Sequence, residues 1–178
     1  SDVFHQMDVY EPAGDSEVNR PLIIYMHGGS FYGGDKVMTD CVDFCESFAK
    51  RGYVCASINY RLSDPISFFM SQEEQYETVL EAVSDAKSAI RYFRKFSSDY
   101  GVNPDQIFLG GYSAGGVLAI HLAYIDQISD LPTSPVNVQD LVNNIGGDLE
   151  GDGGYDGYSS SVQGVISFAG GINNLDWI

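Results

Sequence analysis

The sequence predicts an α/β protein whose core is a doubly wound, mostly parallel sheet. Short apolar segments alternate along the chain with longer amphipathic ones, and this alternation of strand and helix is typical of parallel sheets. Residues 54–60 are almost continuously apolar, as expected of a strand that has helices on both faces. Residues 73–96 repeat apolar residues in steps of three and four, which predicts a long amphipathic helix. Its apolar face carries Val79, Val83, Ala86, Ile90 and Phe93.

The other elements follow from local patterning. Apolar runs bounded by turn residues predict the remaining strands, and helical spacing of apolar residues predicts the remaining helices. The helix at 40–51 is expected to stop at Gly52, which can adopt the left-handed backbone of a C-terminal cap. Strands are thus predicted at 3–10, 21–27, 54–60, 106–110 and 164–168. Helices are predicted at 40–51, 73–96 and 117–124.

Length and composition indicate one domain with a substantial apolar core. The chain has 178 residues, 44% of them hydrophobic. Its net charge is −16 with only nine Lys and Arg, so a nucleic-acid backbone or an anionic membrane surface would be repelled. No run approaches the roughly 20 apolar residues of a membrane span. We therefore predict no nucleic-acid partner and no membrane span. A secreted or periplasmic location is favoured over a cytoplasmic one, but the location itself is left open.

The three cysteines are too few for a disulfide scaffold. Cys41 and Cys45 lie four residues apart on a predicted helix, and Cys55 lies on the next predicted strand. This spacing allows a bridge between helix and strand, whereas buried free thiols are the favoured alternative.

The segment 110–116 predicts a nucleophilic serine. It reads Gly110-Gly111-Tyr112-Ser113-Ala114-Gly115-Gly116 and joins a predicted strand to a predicted helix. In a G-x-S-x-G turn between strand and helix, the serine is held above the end of the sheet as a nucleophile. Gly111 and Gly115 stand where the strained backbone and the close approach of strand and helix leave no room for a Cβ.

A second glycine-rich turn predicts the site that would bind an oxyanion. The predicted strand 21–27 runs directly into His27-Gly28-Gly29-Ser30. Acyl transfer from a serine needs N–H donors aimed at the negative oxygen of the tetrahedral intermediate. Gly28 permits the turn, and the candidate donors are the main-chain amides of Gly29, Ser30 and Ala114, the last at the positive end of a helix dipole.

Five segments in order give the chain a resemblance to the α/β-hydrolase superfamily, and within it to bacterial carboxylesterases and lipases with an HGG oxyanion turn. These segments are Asp8-Val9-Tyr10-Glu11-Pro12, His27-Gly28-Gly29, Ser57-Ile58-Asn59-Tyr60-Arg61-Leu62, Asn103-Pro104-Asp105-Gln106-Ile107 and the serine turn. The resemblance covers nearly the whole chain. It implies hydrolysis of a small-molecule carboxylic ester through an acyl-enzyme on Ser113, with no metal or organic cofactor. It also implies that the His27 ring supports the oxyanion turn.

The acid and the base of a serine triad are the missing parts. His5 is predicted on the first strand, and His121 lies eight residues after Ser113 on one helix, about 12 Å along its axis and out of reach. The resemblance implies a Ser, acid, His order, with acid and base beyond the strand at 164–168. Asp176 is a less favoured acid because no histidine follows it.

We therefore expect residues 1–178 to form one partial α/β-hydrolase domain that lacks the C-terminal strands and the first strand of the family. Such a fragment should show little or no turnover, because its triad is incomplete. The apolar strand at 164–168 would be left as an exposed edge, which predicts pairing with a further strand or with another chain.

Residues 127–162 form an irregular acidic insertion, which in the resembling enzymes commonly borders the acyl pocket. Within it, 148–153 begins like a calcium loop, but its twelfth position is Ser159 instead of a glutamate. A solvated turn is therefore favoured, and no metal site is predicted. The aromatic residues Phe31, Tyr32, Phe68, Phe69 and Tyr112 could line an acyl or aryl pocket, although core packing is the favoured interpretation.

Two other functions remain open. A peptidase or acyl-peptide hydrolase of the same superfamily commonly carries a propeller domain, and no blade repeat is present in this sequence. A non-catalytic binding module on the hydrolase scaffold would explain why the visible histidines offer no base. It would not explain why the serine turn and the oxyanion turn are both intact.

Overall fold

The computed structural model describes residues 5–14, 16–151 and 153–171, and in them the strands form one sheet. The strands are β1 (Met7–Tyr10), β2 (Arg20–Met26), β3 (Val54–Ile58), β4 (Val102–Tyr112) and β5 (Gly164–Phe168). Their order across the sheet is β1-β3-β2-β4-β5. β1 runs antiparallel to β3, and the other neighbouring strands are parallel. The predicted mostly parallel sheet is confirmed, with one antiparallel strand at its edge.

Helices cover both faces of this sheet. They are α1 (Thr39–Ala49), α2 (Pro65–Met70), α3 (Gln72–Lys95), α4 (Ala114–Tyr124) and α5 (Val138–Leu141). The three helices predicted from the sequence are α1, α3 and α4. The short α2 was not predicted, because six residues do not show a helical period. Its start is nevertheless defined chemically, since the Asp64 carboxylate caps the amides of Ile66 and Ser67.

The continuous apolar character of the central strands has a direct structural cause. On β2, Leu22, Ile24 and Met26 face one apolar cluster, which includes residues of α3 and α4. The alternate residues Ile23 and Tyr25 face a second cluster, which includes Cys41 and Cys45 of α1. Because both faces are covered, neither set of alternating positions can be polar.

The strand register brings the carboxyl ends of three strands to one edge. Met26 at the end of β2 pairs with Ile58 of β3 on one side and with Gly111 of β4 on the other. The segments that leave these strands, including the two glycine-rich turns, therefore start side by side. This is the edge at which open α/β sheets bind ligands.

The acidic insertion packs against α3. Tyr76 and Leu80 of α3 share a buried cluster with apolar side chains of the insertion, namely Leu131, Val138, Leu141, Val142, Ile145 and Leu149. The insertion includes the short helix α5 and shares a small apolar core with α3. Its predicted position beside an acyl pocket, and the predicted extent of a single partial domain, stay predictions.

The predicted starts of two strands need correction. β1 begins at Met7, so His5 lies in a turn before the strand instead of on it. β4 begins at Val102, four residues earlier than predicted, because Arg20 pairs with Val102 across a register shift. At the other edge, β5 has the predicted bounds and pairs with β4, and within the described residues no further strand covers it. Pairing of that edge with another chain stays a prediction.

No helix among the described residues combines the length and the apolar character that crossing a bilayer requires.

Candidate active site

Ser113 lies in a strained turn between β4 and α4. Its backbone φ is 52° and its ψ is −115°. Residues other than glycine rarely adopt this conformation, which costs on the order of 1–3 kcal/mol. A Cβ on Gly111 would overlap the carbonyl group of Gly115, and a Cβ on Gly115 would overlap the carbonyl oxygen of Met26. Both glycines of the motif are therefore required by sterics, because the turn brings β4, α4 and the end of β2 into backbone contact.

Hydrogen bonds hold this turn in place. The Ser113 amide donates to the Phe168 carbonyl at 2.8 Å, and the Val117 amide donates to the Ser113 carbonyl at 2.9 Å. The Ser167 hydroxyl donates to the Gly116 carbonyl at 3.0 Å. The end of β5 thus braces the start of α4. The Ser113 side chain remains half-buried, and within the described residues its hydroxyl has no hydrogen-bond partner.

The turn after β2 also depends on positive φ angles. Gly29, Ser30 and Phe31 have φ values of 119°, 54° and 64° in succession. The Gly29 carbonyl accepts from the amides of Tyr32 at 3.2 Å and Gly33 at 3.0 Å, which closes the loop. In the described part of the chain, the amides of Gly29, Ser30 and Ala114 donate to no protein acceptor. Three main-chain donors are therefore available to a ligand at this edge of the sheet.

The two turns touch each other. A Cβ placed on Gly28 would stand 3.1 Å from the Tyr112 carbonyl oxygen and 3.4 Å from the Cβ of Ser113. The adjacency follows from the fold, since β2 and β4 are neighbours in register and each turn leaves its strand at the same level. The structure thus brings Gly28 of the HGG segment against the serine of the G-x-S-x-G segment.

His27 is fully buried and turns its ring toward β3, on the side of β2 opposite β4. The ring stacks on Tyr60 with centroids 4.3 Å apart and planes at 12°. His27 Nδ1 lies 2.6 Å from the Gly28 carbonyl oxygen, and because a carbonyl only accepts, Nδ1 carries the proton. Burial lowers the pKa of His27. The ring is therefore held neutral and engaged with its own turn.

The other two histidines are also engaged away from Ser113. His121 Nδ1 lies 2.8 Å from the Val117 carbonyl oxygen, and burial lowers the pKa of this imidazole. His5 Nε2 lies 3.2 Å from the Asp85 carboxylate, which also binds Arg61. All three histidines of the chain are described, and none of them contacts the serine hydroxyl. Asp176, the less favoured candidate acid, lies outside the described residues.

Sequence reasoning missed two residues that shape the oxyanion turn. The Tyr60 hydroxyl donates to the His27 carbonyl at 2.8 Å, which fixes the end of β2 from the β3 side. Gly34 has a φ of 94°, and a Cβ there would overlap the Gly28 carbonyl oxygen. Their positions in the sequence could have indicated this role, since Tyr60 ends a predicted strand and Gly34 follows the HGG segment by five residues.

The aromatic residues near the site divide into two groups. Phe31 and Phe68 are buried in the core, as the core-packing interpretation predicted. Phe69 is 67% exposed and Tyr112 is 48% exposed, so core packing is wrong for these two. The Tyr32 ring contacts one member of each group, since its centroid lies 5.6 Å from that of buried Phe68 and 5.3 Å from that of exposed Phe69.

The predicted solvated turn that starts at Asp148 is not fully solvated in its described residues. Asp148 caps the amides of Glu150 and Gly151 within the turn. The Glu150 carboxylate, however, pairs with Lys87 at 3.0 Å and with Arg91 of α3. Among the described residues, no cluster of His, Cys, Asp or Glu side chains is arranged to hold a metal ion.

A mostly parallel sheet with helices on both faces and a strained strand-to-helix turn at Ser113 define the fold as that of an α/β-hydrolase. Comparison with known proteins agrees. The chain belongs to the BD-FAE family, whose model matches residues 7–177.

Similar curated proteins are esterases and a deacetylase-like protein. Human cocaine esterase is 28% identical over 132 residues, which are 74% of this chain and 21% of that protein. Human arylacetamide deacetylase-like 2 is 33% identical over 116 residues, covering 62% of this chain and 26% of that protein. Para-nitrobenzyl esterase of Bacillus subtilis is 31% identical over 113 residues, covering 62% and 22%. The chain thus spans about a quarter or less of the length of these relatives.

Solved structures of Thermogutta terrifontis esterase 2 resemble the chain. The match to its apo form has a TM-score of 0.64 at 28% identity, and it covers 90% of this chain and 48% of the esterase chain. Its form phosphoramylated by tabun gives a TM-score of 0.66 at 26% identity and covers 97% of this chain and 57% of that chain. The described strands and helices therefore correspond to about half of that esterase.

Proposed function

We propose that this chain carries the nucleophile and the oxyanion donors of a serine hydrolase that cleaves small-molecule carboxylic esters. The observation that carries the proposal is the contact between the two turns, in which Gly28 lies against Ser113. The esterase relatives and the esterase structures support the same activity. A pure binding scaffold would have no chemical need for a strained serine beside three main-chain amides that have no acceptor among the described residues.

The proposed first step is acylation. The Ser113 Oγ attacks the ester carbonyl carbon while its proton passes to a general base, and the carbonyl oxygen becomes an oxyanion. The amides of Gly29, Ser30 and Ala114 donate hydrogen bonds to that oxyanion. The tetrahedral intermediate then expels the alcohol, which takes the proton from the base. Ser113 is left as an acyl ester.

The second step returns the enzyme to its resting state. A water molecule gives a proton to the base and attacks the acyl carbonyl, and the oxyanion forms again against the same amides. Collapse releases the carboxylic acid, and the base returns its proton to Ser113 Oγ, which restores the hydroxyl. We assign the base to a histidine other than His5, His27 and His121, since each of these is engaged away from Ser113.

The substrate is proposed to be an ester with an apolar acyl or aryl group. Phe69 and Tyr112 are exposed aromatic residues near the turns, and both offer apolar surface to such a group. The net charge of −16 disfavours strongly anionic substrates. A series of p-nitrophenyl esters of increasing acyl length, assayed with the full-length protein, would define the preferred chain length.

Covalent labelling tests the proposed nucleophile. A fluorophosphonate probe should modify the full-length protein at Ser113, and Ser113→Ala should abolish the label. Ser30→Ala is the matched control, because only its main-chain amide is assigned a role and its label should persist. Paraoxon is a useful second probe, since Thermogutta terrifontis esterase 2 has been observed phosphorylated by it. An unlabelled full-length protein, or a label that survives Ser113→Ala, would overturn the assignment.

One observation favours a second function, a non-catalytic binding module. Within the described residues the Ser113 hydroxyl has no partner, so no base activates it there. A module of this kind would leave the serine unreactive toward both probes while the fold stays intact. The labelling experiment therefore separates the two functions.

A further inference from the structure

Two of the three cysteines face each other across the interface between α1 and β3. Cys45 lies on α1 and Cys55 on β3, and both side chains are fully buried. Their Sγ atoms are 2.9 Å apart. This separation is longer than a disulfide bond of about 2.05 Å, but it leaves no room for another atom between the sulfurs. A movement of about 1 Å would bring them to bonding distance.

The packing of helix on strand selects this pair. Residues two apart on a strand share a face, so Cys55 and Ser57 both point toward α1. Residues four apart on a helix also share a face, so Cys41 and Cys45 both point toward β3. In this arrangement Cys45 lies opposite Cys55, whereas the neighbouring strand position on the same face, Ser57, donates its hydroxyl to the Lys36 carbonyl. Cys41 lies in the same buried cluster, but the sulfur contact that the structure shows is that of Cys45 with Cys55.

We propose that Cys45 and Cys55 form a disulfide that links α1 to β3 when the protein folds under oxidising conditions, and that Cys41 remains a thiol. This inference is independent of the proposed esterase activity. It also reconciles the two alternatives left open by the sequence, a helix-to-strand bridge and buried free thiols, because each corresponds to one oxidation state. The thiol pair belongs to the reduced protein and the bridge to the oxidised one.

The chemistry is thiol–disulfide exchange with a small-molecule disulfide such as oxidised glutathione. One cysteine thiolate attacks the reagent disulfide, forms a mixed disulfide and releases one glutathione thiolate. The second cysteine thiolate attacks the protein sulfur of that mixed disulfide and releases the other. The two protein thiols are oxidised, one glutathione disulfide is reduced to two thiols, and the two protons end on the released glutathione.

Burial decides when the bond can form. The hydrogen bond with Cys55 and the exclusion of water raise the pKa of the Cys45 thiol, and burial raises the pKa of Cys41 to about 12. Buried neutral thiols react slowly, and the reagent cannot reach them in the folded state. We therefore expect oxidation to occur during folding, before α1 closes over β3.

The link would brace the segment that carries the oxyanion turn. α1 begins at Thr39, shortly after that turn, and the segment between them is already tied to the β3 side. The Lys36 amide donates to the Asn59 side chain at 2.7 Å, and the Ser57 hydroxyl donates to the Lys36 carbonyl at 2.8 Å. A covalent link at Cys45, within α1, would add a tie between α1 and β3. For a cross-link that closes so short a loop, we expect the melting temperature to rise by roughly 5 °C.

Thiol mapping tests the proposal. The full-length protein is refolded from urea in a buffer of reduced and oxidised glutathione, denatured, blocked with N-ethylmaleimide and digested without reductant. Mass spectrometry should find a peptide pair linked through Cys45 and Cys55, with Cys41 alkylated. Cys41→Ser should keep the link, and Cys45→Ser should lose it. Reductant should lower the melting temperature by roughly 5 °C in the wild type and in Cys41→Ser.

Two results would overturn the proposal. Alkylation of all three cysteines in the refolded wild type would show that no bridge forms. A link that includes Cys41 would show that the α1 register does not select Cys45. Because the mapping is done on the wild-type chain, it remains decisive even if a cysteine variant fails to fold.

Discussion

The acidic insertion, which packs on α3, and the two turns at the sheet edge are stabilised in different ways. The turns around Gly28 and Ser113 are held by main-chain contacts, and their shape requires glycine where a Cβ would overlap the neighbouring backbone. The insertion is held on α3 by a buried apolar cluster and, near Glu150, by side-chain charge, through Lys87 and Arg91. A small change of volume should therefore disable the turns, whereas a change of charge should loosen the insertion. Loss of catalysis should therefore be confined to changes in the turns.

The largest effect is expected for Gly115→Ala. The new methyl group would overlap the main-chain oxygens of Met26 and His27, so the turn must shift away from β2. We expect esterase activity of the full-length protein to fall by at least 10³-fold, as oxyanion contacts and serine are both displaced. The free energy of unfolding should fall by about 1–3 kcal/mol. Steady-state kinetics and urea unfolding measure the two effects. Activity within a few-fold of wild type would show that the backbone contact is not essential.

A matched pair in the oxyanion turn sharpens the comparison. Gly29→Ala places a methyl group onto the Gly33 carbonyl at a φ of 119°, whereas Gly33→Ala meets only the Gly29 carbonyl oxygen at 3.8 Å. We expect kcat/KM to fall by about 10²–10³ for Gly29→Ala, comparable to the loss of one oxyanion donor. Gly33→Ala should change it less than about threefold. Equal losses in the two variants would contradict the proposed role of the Gly29 amide.

The charged region should show the opposite behaviour. Glu150→Gln removes the anion that faces Lys87 and Arg91, whose side chains are nearly buried. We expect unfolding to become easier by about 1–3 kcal/mol, less than for a fully buried pair because Glu150 is half-exposed. Hydrolysis of a short ester should be nearly unchanged. Glu46→Gln, which breaks an exposed pair with Lys50, is the control and should cost about 0.5 kcal/mol or less.

The smallest expected effect is a pH dependence of stability from the buried imidazoles. Burial lowers the folded-state pKa of His27 and His121, so near and below the ordinary histidine pKa the unfolded chain binds more protons than the folded chain. Their contribution to stability is complete above the ordinary histidine pKa of about 6.5 and declines as the pH falls below it. Each histidine can add at most about 1.4 kcal/mol per pH unit to this slope. Urea titrations at pH 7.5 and 5.5 should show it, and His121→Leu should reduce it. A slope unchanged by that substitution would exclude His121.

Much of the fold could be predicted from local patterns. β5 has its predicted bounds, and α3 differs from the predicted helix by one residue at each end, because 24 residues give a clear helical period. α2 was missed because it is too short, and the start of β4 was missed because Pro104 and Asp105 are unfavourable strand residues. There the pairing of Arg20 with Val102 overrides local preference.

The site was predictable to the level of its two turns and no further. The motifs marked Ser113 and Gly28, since glycine spacing is visible in the sequence. The positive φ angles of Ser30 and Phe31 were not visible, because neither residue prefers that region. The Tyr60 bond to His27 joins residues 33 apart, and only the three-dimensional structure shows it. Long-range pairs of this kind leave no local pattern.

The central claim is that main-chain donors from two neighbouring turns face the Ser113 hydroxyl. A crystal structure of the full-length protein after reaction with paraoxon tests it most directly. The account predicts phosphorus bonded to Ser113 Oγ, with the phosphoryl oxygen about 2.7–3.1 Å from the amides of Gly29, Ser30 and Ala114. An adduct on Ser113 whose phosphoryl oxygen points away from these amides, or an adduct on another residue, would contradict it.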